Sequence, residues 1–232
     1  MTLNIIRRFI EQFVTFGDQT LSHQEIAWLN TRGTSRHSLE YADIASVELD
    51  NGKKFSVFNL SYGGLSIIDP QKQLEESLKE SANVTLVIHH LKVHCDIAMI
   101  NRRGNYLGCN FIHSGPDVLV FLREVLEFIR IGTTLKPQEK DKSIYYTEEL
   151  DTRFICNRSA RNQTISTELV FTSGKSEVTI RLTDDKLSID NSNEALSLQR
   201  AFFILIGLMK NEKNQAIRYI TEKMMIQLNV SA

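Results

Sequence analysis

The chain has 232 residues, 42% hydrophobic and 24% charged, an ordinary composition for a folded globular protein that argues against fibrous and disordered classes. Its 27 basic and 28 acidic residues leave a formal net charge of -1, so no general field attracts nucleic acid or an anionic membrane, and any anion site must be local. The 3 cysteines, Cys95, Cys109 and Cys156, show no CxxC spacing and fit a reducing, cytoplasmic compartment better than a disulfide framework.

In chain order, the opening MTLNIIRRFIEQFVTFG carries apolar residues at positions 5, 6, 9, 10, 13 and 14 among charges. That is an amphipathic helical pattern rather than the unbroken apolar core of a signal peptide, and residues 1 to 30 are assigned to an N-terminal helical segment. From Ser38 the texture turns to short runs of β-formers: SLEYADIASVEL, KKFSVFNLS, GGLSIID, NVTLVIHHLKVHCDIAMI and NYLGCNFIH. These read as barrel or sandwich strands. Asp50-Asn51-Gly52 and Arg103-Gly104-Asn105 hold residues that tolerate positive φ, which predicts hairpins at both places.

Residues 116 to 131 return to helical spacing, with Val118, Leu122, Val125 and Ile129 in one stripe, Pro116 near the start and Gly132 past the end. The polar stretch TTLKPQEKDKS, with Pro137, is the best linker candidate and sets a boundary at 133 to 146. Beyond it RFICN, TISTELVFT and EVTIRLTDDKLSID read as strands, with Ser173-Gly174-Lys175 and Asp184-Asp185 as turns. Residues 194 to 210 predict a core helix, and 214 to 228 an amphipathic one through Ile217, Ile220, Met224 and Leu228. The apolar run AFFILIGLM is far shorter than the roughly 20 residues a bilayer requires, so no membrane span is expected.

Two short motifs carry the chemistry: RGTSR at 32 to 36, an RxxxR, and NLSYGG at 59 to 64, an NxSxxG. Neither alone is specific. In this order, with a β-rich stretch between and after them, they resemble the PilZ family over roughly residues 30 to 130. RHSLEY resembles the entry to that family's opening strand, FSVFNLSYGGLSII its motif-bearing hairpin, and VHCDIAMINRRGNYLGCNF its closing strands. The resemblance implies a receptor for the bacterial second messenger cyclic di-GMP, bound by Arg32, Arg36, Asn59, Ser61 and Gly64, with no other cofactor and no catalysis.

The residue chemistry agrees with that ligand. An arginine fork bonds phosphate bidentately and also stacks on a purine, so Arg32 and Arg36 suit a molecule of two phosphates and two guanines. Gly33, Thr34 and Ser35 between them disfavour helix and suit a loop that wraps a ligand. Guanine donates from N1 and N2 to an acceptor such as the Asn59 side-chain oxygen, and Gly64 allows a turn or a close ligand approach that a Cβ would hinder. Where many PilZ members have Asp, this chain has Asn59, which keeps an acceptor and loses the charge.

The expected fold is therefore mainly β with helices: a PilZ-like antiparallel β-barrel with its closing helix over 31 to 132, the linker, and a smaller α+β unit over 147 to 232. A metal reading of His89, His90, His94 and Cys95, with Cys109 as a fifth candidate, is disfavoured. On one strand His90 and His94 would stand about 13 Å apart, and the two thiols read more simply as small core hydrophobes on neighbouring strands. No nucleophile elbow, phosphate loop or zinc pattern is present in the sequence, so no enzyme is expected. The expected output is a conformational signal to a protein partner in motility, adhesion, polysaccharide synthesis or transcription; a ligand-independent scaffold is the alternative. The amphipathic terminal helices suit homodimerisation or partner docking as well as core packing.

Overall fold

The computed structural model describes residues 37–38, 44–78, 81–112, 115–139, 141, 143–158, 164–190 and 194–231. The helical segment expected over 1 to 30 lies outside them. Backbone contacts divide the chain into two units, Met1–Arg123 and Glu124–Ala232.

In the first unit β1 (His37–Ser38), β2 (Ala45–Glu48), β3 (Lys54–Ser61), β4 (Gly64–Ile68), β5 (Ser81–Ile88), β6 (Leu91–Arg103) and β7 (Tyr106–Ile112) pair antiparallel. The order β3-β2-β5-β6-β7-β4 returns from β4 to β3, which closes a six-strand barrel, and β1 lies beside β3. The mainly β, barrel-plus-helix architecture is thus the expected one. Closure pairs both edges of every barrel strand over at least part of its length, removing the exposed templates an open sheet would present.

Period-two alternation supplies the core. Val84, Leu86 and Ile88 of β5 and Val93, Cys95 and Ile97 of β6 are buried with more exposed residues between them. They meet Val47, Leu60, Leu65, Ile67 and Leu107, none of which exposes any surface. Each fully buried aliphatic side chain of this kind contributes about 1.5–3 kcal/mol.

The predicted reversals form where the turn residues stand, with Gly52 and Gly104 at φ of 81° and 60°. One reversal was hidden: the run NVTLVIHHLKVHCDIAMI is not one strand but two, β5 and β6, joined at His89-His90, with His89 at φ 55°. Helix α1 (Gln73–Leu78) follows β4. Asp69, almost fully buried, accepts the Gln73 and Glu75 backbone N–H groups at 2.9 and 3.2 Å, capping the helix. Arg102 donates to Asp69 Oδ2 at 2.9 Å and to Glu75 Oε2 at 2.5 Å, so the buried carboxylate is paired, as burial demands.

Cys95 and Cys109 lie in the barrel core on adjacent strands, and burial pushes both thiols up to about 12. Cys156, in the second unit, is also fully buried. Thiolate is the reactive form, so all three are expected to stay silent to an aromatic disulfide reagent at pH 8 and to react together in guanidinium. Rapid labelling of the native protein would contradict this packing.

The second unit is a six-strand meander, β8 (Lys136–Pro137), β9 (Ile144–Thr147), β10 (Thr152–Arg158), β11 (Thr164–Ser173), β12 (Ser176–Thr183) and β13 (Lys186–Asp190), paired in chain order. Helix α2 (Pro116–Thr134) runs across the division between units, and α3 (Glu194–Asn211) and α4 (Gln215–Ser231) complete the chain. Phe154 and Cys156, Leu169 and Phe171, and Val178 and Ile180 alternate onto one buried face, where Phe171 meets Phe128 edge-on at 6.5 Å. Residues 133 to 146, expected as a linker, carry the end of α2, β8 and the first residues of β9. Pro137 has no N–H to donate, but β8 is the edge strand of the sheet, where none is required. Among the described residues no helix is long and apolar enough to cross a membrane.

Candidate functional site

The second motif occupies the β3–β4 hairpin. Its strand contains a β-bulge: Val57 pairs with Ile67 and Asn59 with Ser66, so Phe58 is an extra residue on β3. The insertion resets the side-chain phase. Val57 and Leu60, three apart, both enter the core, while Phe58 and Asn59 stay half-buried on the opposite, outer side.

Asn59 sits in the middle of a cross-strand row. It pairs with Ser38 of β1 on one side and with Ser66 of β4 on the other, and Ser66 pairs in turn with Gly108 of β7. His37 pairs with Leu60. The residues immediately after RxxxR therefore run alongside the strand that bears NxSxxG. Arg32 and Arg36 themselves lie outside the described residues.

Ser61 and Gly64 face each other across the Tyr62-Gly63 turn. Ser61 is buried, and its Oγ donates to the Gly64 carbonyl at 3.1 Å, tying the hairpin end together. Gly64 pairs with Asn110 of β7. A Cβ at Gly64 would sit 3.0 Å from the Asn110 Cα and well inside contact distance of the Cys109 carbonyl oxygen, so strand closure by itself requires glycine at this position. Sequence reasoning placed the residue correctly in the hairpin and missed this reason, because the β4–β7 pairing is nonlocal.

Beside the row, the Phe58 ring lies 4.5 Å from the ring of Tyr106, tilted by 45°. Tyr106 belongs to β7 and pairs with Ile68 and Arg103. The motif gave no hint of this aromatic neighbour, whose position depends on strand register.

The histidines do not share a strand as the sequence suggested. His90 belongs to the β5–β6 turn, its ring 4.0 Å from that of His89, whereas His94 stands on β6, exposed, with its Nδ1 3.0 Å from the Thr85 hydroxyl. Among the described residues no three His, Cys, Asp or Glu side chains cluster to hold a metal ion.

No family model and no curated protein matches the chain. Among solved structures, an uncharacterised Legionella protein aligns over 41% of this chain and 94% of its own, at 18% identity and a TM-score of 0.33. The Borreliella burgdorferi PlzA protein, solved in complex with c-di-GMP, aligns over 75% of this chain and 86% of its own, at 10% identity and a TM-score of 0.29. Scores this low carry no inference about this chain, so its site rests on its own geometry.

Proposed function

We propose that this protein is a cyclic di-GMP receptor of the PilZ type, cytoplasmic and non-catalytic, that passes a conformational signal to a protein partner. One observation supports the reading above the others: His37 and Ser38 pair with Leu60 and Asn59. Arg36 directly precedes His37, so the RxxxR motif leads straight into the strand that pairs with the one bearing Asn59. In this reading two arginines that can clamp phosphate and stack on guanine act together with an amide that can read a guanine edge. Ligand binding through Arg32 and Arg36 that favours one of two states of the protein is the change from which a partner would take its signal.

A second reading is favoured by Ser61 and Gly64, both of which have a role in the hairpin and barrel closure that needs no ligand. It makes the chain a PilZ-like scaffold for protein contacts alone. A melting experiment separates the two. Cyclic di-GMP at 100 times its dissociation constant should add about 2.7 kcal/mol of stability to a receptor, and nothing to a scaffold.

The site assignment is tested with Arg32→Ala combined with Arg36→Ala. Two charge-assisted contacts at about 1.5–3 kcal/mol each predict at least roughly hundredfold weaker binding by calorimetry, with the melting temperature unchanged. Equal affinity in the double variant would overturn it.

A further inference from the structure

The aromatic pair beside the Asn59 row has no evident need to be half open to solvent. Tyr106 is 39% exposed, one of few large hydrophobic side chains so exposed among the described residues. The bulge places Phe58 on the same outer side as Asn59, both opposite Ser66. The 4.5 Å ring contact then fixes Tyr106 against Phe58 across β4, whose two neighbours in the barrel are β3 and β7. The result is a braced aromatic surface adjoining a hydrogen-bonding amide.

That combination suits a purine. A tyrosine ring offers a large flat face with few rotamers to freeze, and base stacking on such a face is a sequence-tolerant attraction that a neighbouring polar group converts into selectivity. We infer that Tyr106, held by Phe58, is a base-stacking wall of the nucleotide site, taking one guanine face while Asn59 meets that ligand's polar edge. The inference rests on the cyclic di-GMP reading of this surface. It adds β7 to a set otherwise assigned to Arg32, Arg36 and the β3–β4 hairpin.

Calorimetry with cyclic di-GMP on wild type, Tyr106→Phe and Tyr106→Leu provides the test, with melting curves alongside. Tyr106→Phe keeps the ring and should bind within about threefold of wild type. Tyr106→Leu keeps apolar cover over Phe58 but loses the flat face, and should bind roughly tenfold more weakly or worse. A purely structural clamp would instead lower the melting temperature of Tyr106→Leu and leave affinity untouched, which overturns the inference while the receptor reading stands. Wild type that binds no cyclic di-GMP overturns both.

Should Tyr106→Leu fail to fold, Tyr106→Trp decides. Its indole fluorescence, read as a difference from the wild-type chain with its single Trp28, is expected to be quenched by stacked guanine on titration with cyclic di-GMP. Saturating calorimetric binding without quenching would overturn the stacking role.

Discussion

Gly64→Ala is expected to destabilise the barrel by about 3 kcal/mol or more, at the upper end of what overpacking costs, and to lower the melting temperature by on the order of 10 °C. The added methyl would press on backbone rather than on a side chain. The Cys109 carbonyl and the Asn110 Cα belong to β7, which is held by β4 on one side and β6 on the other. Neither atom can swing away, so one of the two pairings that close the barrel must stretch. Thermal denaturation of the variant checks this, and a melting curve superimposable on wild type would show that β7 does not approach as described.

This consequence bears on how the motif is read. If glycine at 64 is required by strand closure, lost binding in a Gly64 variant reports lost structure and says nothing of ligand contact. The same reservation applies to Ser61, whose hydroxyl is engaged by its own turn. Of the residues assigned to the ligand, Asn59 and the two arginines are therefore the informative ones. Asn59 is half-buried on the outer side of β3, away from the core that Leu60 enters, so altering it removes no side chain from the barrel core.

The parts of the fold legible in the sequence were those set by local chemistry. Turns at Asn51-Gly52 and Gly104-Asn105 follow from residues that accept positive φ, α2 and α4 follow from 3.6-residue apolar spacing, and α3 from its nearly unbroken apolar run. Nonlocal and one-residue effects were not legible. His89-His90 resembles strand more than turn, and only the structure shows the left-handed φ at His89. The barrel's bulges, at Phe58 on β3 and between Met99 and Asn101 on β6, shift phase by a single position, which an alternation pattern cannot distinguish from noise. Pro137 and the charges around it look like a linker because an edge strand tolerates the same composition. At the site, the NxSxxG residues were visible as a pattern, whereas Tyr106 could be placed beside them only once the β4–β7 register was known.

In the second unit the largest single-residue effect is expected at a buried ion pair. Glu124 on α2 accepts from Arg200 Nε at 2.5 Å and from Nη2 at 3.1 Å, and Arg200 Nη1 donates to Ser173 Oγ at 2.5 Å. Glu124 is 3% exposed and the guanidinium lies 4.9 Å over the Phe128 ring, so both charges are largely removed from water. Deleting one partner removes the opposite charge facing the other in a nearly dry site, and Glu124→Leu or Arg200→Met alone should each lose about 3–5 kcal/mol in guanidinium unfolding. The double variant removes both charges of the pair. It should recover most of that loss, because an apolar pair of similar volume is often as stable as a buried ion pair. Losses that simply add in the double variant would mean the two side chains are not coupled, and that α2, α3 and the end of β11 are aligned by the surrounding apolar packing rather than by this pair.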